Sequence, residues 1–150
     1  MSNPPAIFSI IADIVAALGT PSTYTVYDGP QPTSANPTKF ILVGSDGETA
    51  SSGRWTTDWL AMGSRADRKE TGEIACLVQS WDGSTDNVAS KRADVQSMLA
   101  DLAAAAYSVA DASVEAYWGL TDGTELEQEQ TQEGLTVRAK VTIRYELARA

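Results

Sequence analysis

The chain has 150 residues, 43% hydrophobic and 21% charged, the composition of one globular domain and not of a disordered tail or a fibrous repeat. Its formal charge of −9, from 20 acidic and 11 basic residues, opposes approach to phosphate backbones and anionic lipid, so a nucleic-acid grip and a membrane surface are both disfavoured. Histidine is absent and Cys76 is the lone cysteine, which removes the commonest general base, every Ser-His arrangement, an internal disulfide and any Cys/His zinc cluster.

From Pro5 to Leu18, Ile7, Ile10, Ile11, Ile14, Val15 and Leu18 recur on one helical face, between Pro4-Pro5 and Gly19. The spacing predicts an amphipathic first helix. The apolar run Ala6 to Leu18 contains Asp13 and is too short to cross a bilayer, and no secretory signal is evident, so the product is expected to stay in the compartment where it is made, a reducing cytosol. Thr23 to Tyr27 has the β-branched and aromatic content of a strand ending at the Asp28-Gly29-Pro30 turn. A proline-rich loop follows, then Lys39 to Gly44, a continuous apolar strand of the kind covered on both faces.

Ser45 to Thr71 reads as a long excursion with a ribbon around Arg54 to Met62. It holds Trp55 and Trp59, which either tuck beneath the loop or face a partner, and the basic cluster Arg65, Arg68 and Lys69. That cluster is solvated loop charge or a contact to an acidic neighbouring subunit. Together these five residues are the candidate assembly contacts.

Gly72 to Trp81 alternates, with Ile74, Cys76 and Val78 on one side, and is the candidate central strand. After Ser84, a good cap, Val88, Arg92, Val95, Leu99, Leu102 and Ala106 mark an alanine-rich second helix. Val114 to Leu120, Glu125 to Thr131 and Leu135 to Leu147 are strands, and in the last Leu135, Val137, Ala139, Val141, Ile143, Tyr145 and Leu147 alternate strictly with polar residues. A turn at Glu133-Gly134 sets Glu129 against Arg138, Glu127 against Lys140 and Leu126 against Val141, with the glutamine-rich tip projecting beyond the core. The sum is one α+β domain over residues 1–150: a mixed, mostly antiparallel sheet with two helices packed on one face.

Catalytic chemistry is sparse. Asp58, Asp67, Glu70 and Glu73 are carboxylates near one another in sequence, read as solvated loop charges. Cys76 sits mid-strand on an apolar face without a basic neighbour to activate it. The Asp-Gly dipeptides at Asp28, Asp46, Asp82 and Asp122 lack the alternating acidic ligands of a calcium loop, and neither a P-loop nor a dinucleotide fingerprint occurs. No metal site, cofactor site or catalytic residue is expected.

Element order and spacing resemble the tail-terminator, or tail-completion, proteins of long-tailed bacteriophages and prophages. The resemblance is carried by the first helix before Thr23-Tyr24-Thr25-Val26-Tyr27-Asp28-Gly29-Pro30 and by Lys39-Phe40-Ile41-Leu42-Val43-Gly44. Glu73-Ile74-Ala75-Cys76-Leu77-Val78-Gln79-Ser80-Trp81-Asp82-Gly83 leading into the second helix, and the closing strand from Gly134 to Ile143, complete it. It is a likeness of order over most of the chain, without a diagnostic motif. It implies a non-enzymatic virion protein at the head–tail junction, assembled in the host cytoplasm. Copies of it would form a ring, expected to be hexameric, that caps the tail-tube protein, stops tube growth and docks a head–tail connector, with DNA only as cargo through the lumen. The alternatives are another head–tail joining or tail-tube subunit and, from a different class, a small host enzyme or ligand-binding domain that uses carboxylates.

Overall fold

A computed structural model of the chain describes residues 5–32, 37–48, 53–59, 68–82, 88–111, 116–120, 125–131 and 134–149. In chain order these form α1 (Ile7–Leu18), β1 (Thr25–Asp28), β2 (Lys39–Val43), β3 (Gly53–Trp59), β4 (Arg68–Asp82), α2 (Val88–Asp111), β5 (Ala116–Leu120), β6 (Glu125–Thr131) and β7 (Gly134–Arg149). The architecture is the expected one, an α+β fold with a seven-stranded mixed sheet. Every strand pairing is antiparallel except that of β1 with β2, which is parallel.

Two long strands form the spine. β4 and β7 pair along their whole length, from Arg68 opposite Arg149 to Asp82 opposite Leu135. The other edge of β4 is shared end to end by β3 and β2, and the other edge of β7 by β5 and β6. The ribbon expected around Arg54 is therefore a sheet strand, and β4 begins at Arg68, earlier than the expected Gly72.

Alternation decides the faces. On one face Ile74, Cys76 and Val78 of β4 and Val137, Ala139, Val141, Ile143 and Tyr145 of β7 pack against Ile7, Ile10 and Ile14 of α1 and Val95, Met98 and Leu102 of α2. Both helices thus cover the same face, and the removal of this apolar surface from water is the principal stabilising term. The buried stripe of α2 runs through Lys91, Val95, Met98, Leu102 and Ala105, whereas Arg92 is exposed, because the stripe lies one residue away from the expected start. On the opposite face Phe40, Leu42 and Leu77 form a small second cluster with Tyr27, whose ring meets Phe40 edge-on at 6.2 Å. β2 is consequently buried on both faces, as its unbroken apolar run requires.

The β6–β7 register differs from expectation by two residues. Thr131 lies opposite Gly134, Glu127 opposite Arg138 and Leu126 opposite Ala139. A two-residue shift leaves every side chain on its expected face, so alternation alone does not choose between the registers. In the observed one Glu127 bonds Arg138 at 2.6 Å and reaches Lys140 at 3.4 Å, while Glu129 lies 3.8 Å from Arg138. Glu48, from the loop after β2, adds a second carboxylate at 2.8 Å from Lys140 and holds its ammonium above the ordinary value, with Glu127 adding to the effect. Leu135 and Val137 are fully buried, so the start of β7 belongs to the core and does not project beyond it; β4 pairs with it there.

Candidate assembly interface

The start of α1 is held from a distance. Its N-cap position is Ala6, which offers no side-chain cap, and no acidic residue lies in the first turn. Both carboxylate oxygens of Glu70 instead accept the Ala6 N–H at 2.9 Å, and the Tyr145 hydroxyl donates to Oε2 at 2.7 Å. Glu70 is 1% exposed, and a carboxylate is tolerated there because it meets the positive end of a helix and two donors. This corrects the reading of Glu70 as a solvated loop charge: the inward alternation of β4 continues back through Gly72 to Glu70.

Gly72 makes that arrangement possible. It lies opposite Tyr145, and a Cβ at position 72 would overlap the hydroxyl-bearing edge of the Tyr145 ring. With no side chain at that point the ring lies across β4 and reaches Glu70.

In the first turn of α1, Phe8 points away from the core and is 64% exposed. Its ring meets that of Trp55 edge-on, with centroids 5.7 Å apart and planes at 60°. Trp55, on β3, lies opposite Gly72 and so projects on the helix-bearing face, yet it remains 44% exposed. The Glu70 clamp sets the position of α1, and α1 sets Phe8 beside Trp55. Phe8 was missed in the sequence, where the signal was available: an aromatic residue off the apolar stripe of an amphipathic helix.

The remaining candidates divide between the two faces. Lys69 forms an ion pair with Glu146 of its own chain on the face away from the helices, so it does not share a surface with Trp55. On that same outer face Glu73 is bracketed by Arg54 at 2.8 Å and Arg144 at 3.6 Å. Trp59 and Arg68 are opposite each other where β3 pairs with β4, and their side chains, like the whole of Arg65 and Asp67, lie outside the described residues.

The carboxylates do not assemble into an acid–base pair among the described residues. Glu70 and Glu73 lie on opposite faces of β4, and Asp58 is exposed on the outer face of β3. Among the described residues no group of three or more His, Cys, Asp or Glu is placed to hold a metal ion. Burial pushes the Cys76 thiol up to about 12, with the Gly44 backbone pulling weakly the other way. At the seam of the helices Tyr24 donates to Asp101 at 2.8 Å, and burial together with that carboxylate raises its phenol to about 12. No helix among the described residues is long and apolar enough to cross a membrane.

No protein-family model matches the sequence, and no curated protein matches it either.

Proposed function

We propose that this chain is a structural subunit that acts by assembling with copies of itself, and that its assembly is the ring which caps a phage tail tube. The observation that carries the assembly reading is the Phe8–Trp55 pair, two large aromatic rings, one on α1 and one on the edge strand β3, in contact with each other and left substantially in water. Aromatic groups in such a position are what a protein–protein contact buries at its centre. The tail-terminator identity rests on the resemblance in element order and spacing. In that reading the ring seats on the last ring of tube protein, stops its growth and offers a face to the head–tail connector, at the head–tail junction of the virion. DNA passes through without adhering, for which a chain of net charge −9 is suited.

Light scattering on the purified chain, alone and with tail-tube protein, tests this. Closed oligomers, or tubes whose length is arrested when the chain is added, are the expected result. Unlimited polymerisation of the chain by itself identifies a tube subunit, and a monomer that leaves tube growth unchanged removes the reading. Turnover of a small-molecule substrate that is lost on changing a carboxylate would establish the enzymatic alternative.

A further inference from the structure

Among the described residues β1, β3, β5 and β6 each pair on one side only, and β3 and β6 lie at opposite ends and on opposite sides of the β4–β7 spine. Among the described residues β3 is paired only with β4, and β6 only with β7. Each is seven residues long and without proline. Arg54 to Asp58 of β3 and Glu125, Leu126, Gln128 and Glu129 of β6 are exposed. An unpaired strand edge of this length is a template for a further strand.

We propose that a second copy of this chain adds its β6 to the outer edge of β3, so that each copy accepts a strand at one edge and supplies one at the other. The proposal rests on the self-assembly reading above and specifies its contact. Three successive antiparallel pairings link β3, β4, β7 and β6, so β3 and β6 run in opposite directions within one chain. A rotation that preserves strand direction and face therefore brings β6 of the neighbour antiparallel to β3.

The register that sets Arg54 opposite Glu129 brings matching groups together on both faces and carries one like-charged pair, Asp58 opposite Glu125, at its end. Trp55 lies opposite Gly72 and Leu126 opposite Ala139, so both project on the helix-bearing side, where Leu126 is 54% exposed. Arg54 and the glutamates Glu125, Glu127 and Glu129 project on the other side. Setting Arg54 opposite Glu129 places Trp55 opposite Gln128 and within diagonal reach of Leu126. The side chains of Arg54 and Glu129 are 79% and 63% exposed, so the new pair forms without stripping either from a buried site. β6 against β6, centred on Glu127, would instead oppose Glu127 with Glu127 and Glu125 with Glu129 twice, three like-charged pairs against one. β3 against β3 would match Arg54 with Asp58 but leave the acidic edge and Leu126 uncovered. A head-to-tail contact of this kind closes into a ring when the rotation closes, and the offset between the two edges along the spine requires strands tilted to the ring axis.

The test uses full-length chains carrying Thr57→Cys or Gln128→Cys, distinguished by mass tags, mixed and treated with a short bismaleimide; native Cys76 is buried and does not compete. Cross-linking between the two variants, well above that of either with itself, is expected. In parallel, Arg54→Glu and Glu129→Arg should each weaken association about two- to fivefold, and the doubly changed chain should regain it. Oligomers that form without the mixed cross-link, or with a dominant Thr57→Cys self-link, overturn the edge pairing and leave the self-assembly reading standing. A chain that is monomeric at every concentration and yields no cross-link overturns both.

Discussion

Tyr145 lies across Gly72 and donates its hydroxyl at 2.7 Å to Glu70, the carboxylate that also accepts the N–H of Ala6, the N-cap of α1. One diagonal contact between β7 and β4 thereby ties the sheet to the helix whose first turn carries Phe8. The consequence for stability is direct. Tyr145→Phe removes a hydrogen bond to a charged acceptor and should cost about 1.5–3 kcal/mol. Glu70→Ala takes the acceptor from the buried Ala6 N–H as well as from the Tyr145 hydroxyl and should cost more, about 3 kcal/mol or above. Urea unfolding at unchanged slope measures both, and a Glu70→Ala chain as stable as the parent would show that the clamp contributes nothing.

Gly72→Ala should destabilise by about 1–3 kcal/mol, because the added methyl occupies the space of the Tyr145 ring and displaces it from Glu70. The effect should shrink in a Tyr145→Ala background, where that space is empty, giving strongly non-additive losses in a double-mutant cycle. Additive losses would place the strain in the backbone instead.

Trp55→Ala should alter folding stability by no more than about 1 kcal/mol, since the residue lies outside the core, while weakening association about tenfold or more. Phe8→Ala should act in the same direction, and the pair should couple by about 0.5–1.5 kcal/mol through their edge-on contact. Sedimentation velocity reads the association and circular dichroism the fold. Loss of the fold in Trp55→Ala would assign the ring to the core.

At alkaline pH the buried thiol should govern part of the stability profile. The folded chain keeps the Cys76 proton up to about 12, whereas the unfolded chain releases it near the ordinary 9.0. Between those values the folded state binds more protons than the unfolded one, so stability falls as pH rises through that window and is unaffected by this group below it. Tyr24 acts in the same sense from its ordinary 10.0 to about 12. Cys76→Ala should therefore show a shallower alkaline decline than the parent, compared by denaturant midpoints at stepped pH. Parallel declines would remove the thiol from the account.

Much of the fold was legible in the sequence where one periodicity acts against one surface. The α1 stripe of Ile7, Ile10 and Ile14 is buried as its spacing implies, and all seven alternating apolar positions of β7 from Leu135 to Leu147 are buried. The β6–β7 register was less legible, because period two fixes faces but not offset, and Glu127 stands within reach of both Arg138 and Lys140. The candidate site was visible only in part. Tryptophan content drew attention to Trp55, but Lys69, a neighbour in sequence to the same excursion, is turned to the opposite face by strand parity and engaged by Glu146.

Composition and periodicity by themselves determined the element types, the inward faces of the central strands and the lack of histidine chemistry, because each depends on residues close in sequence. Only the tertiary structure decided that Glu70 is buried as the cap of a distant helix, that Phe8 meets Trp55, and that β3 and β6 are edges at opposite ends of one spine. Those relationships join segments tens of residues apart, and their energetics arise from desolvation and contact geometry that exist only once the sheet has brought the segments together.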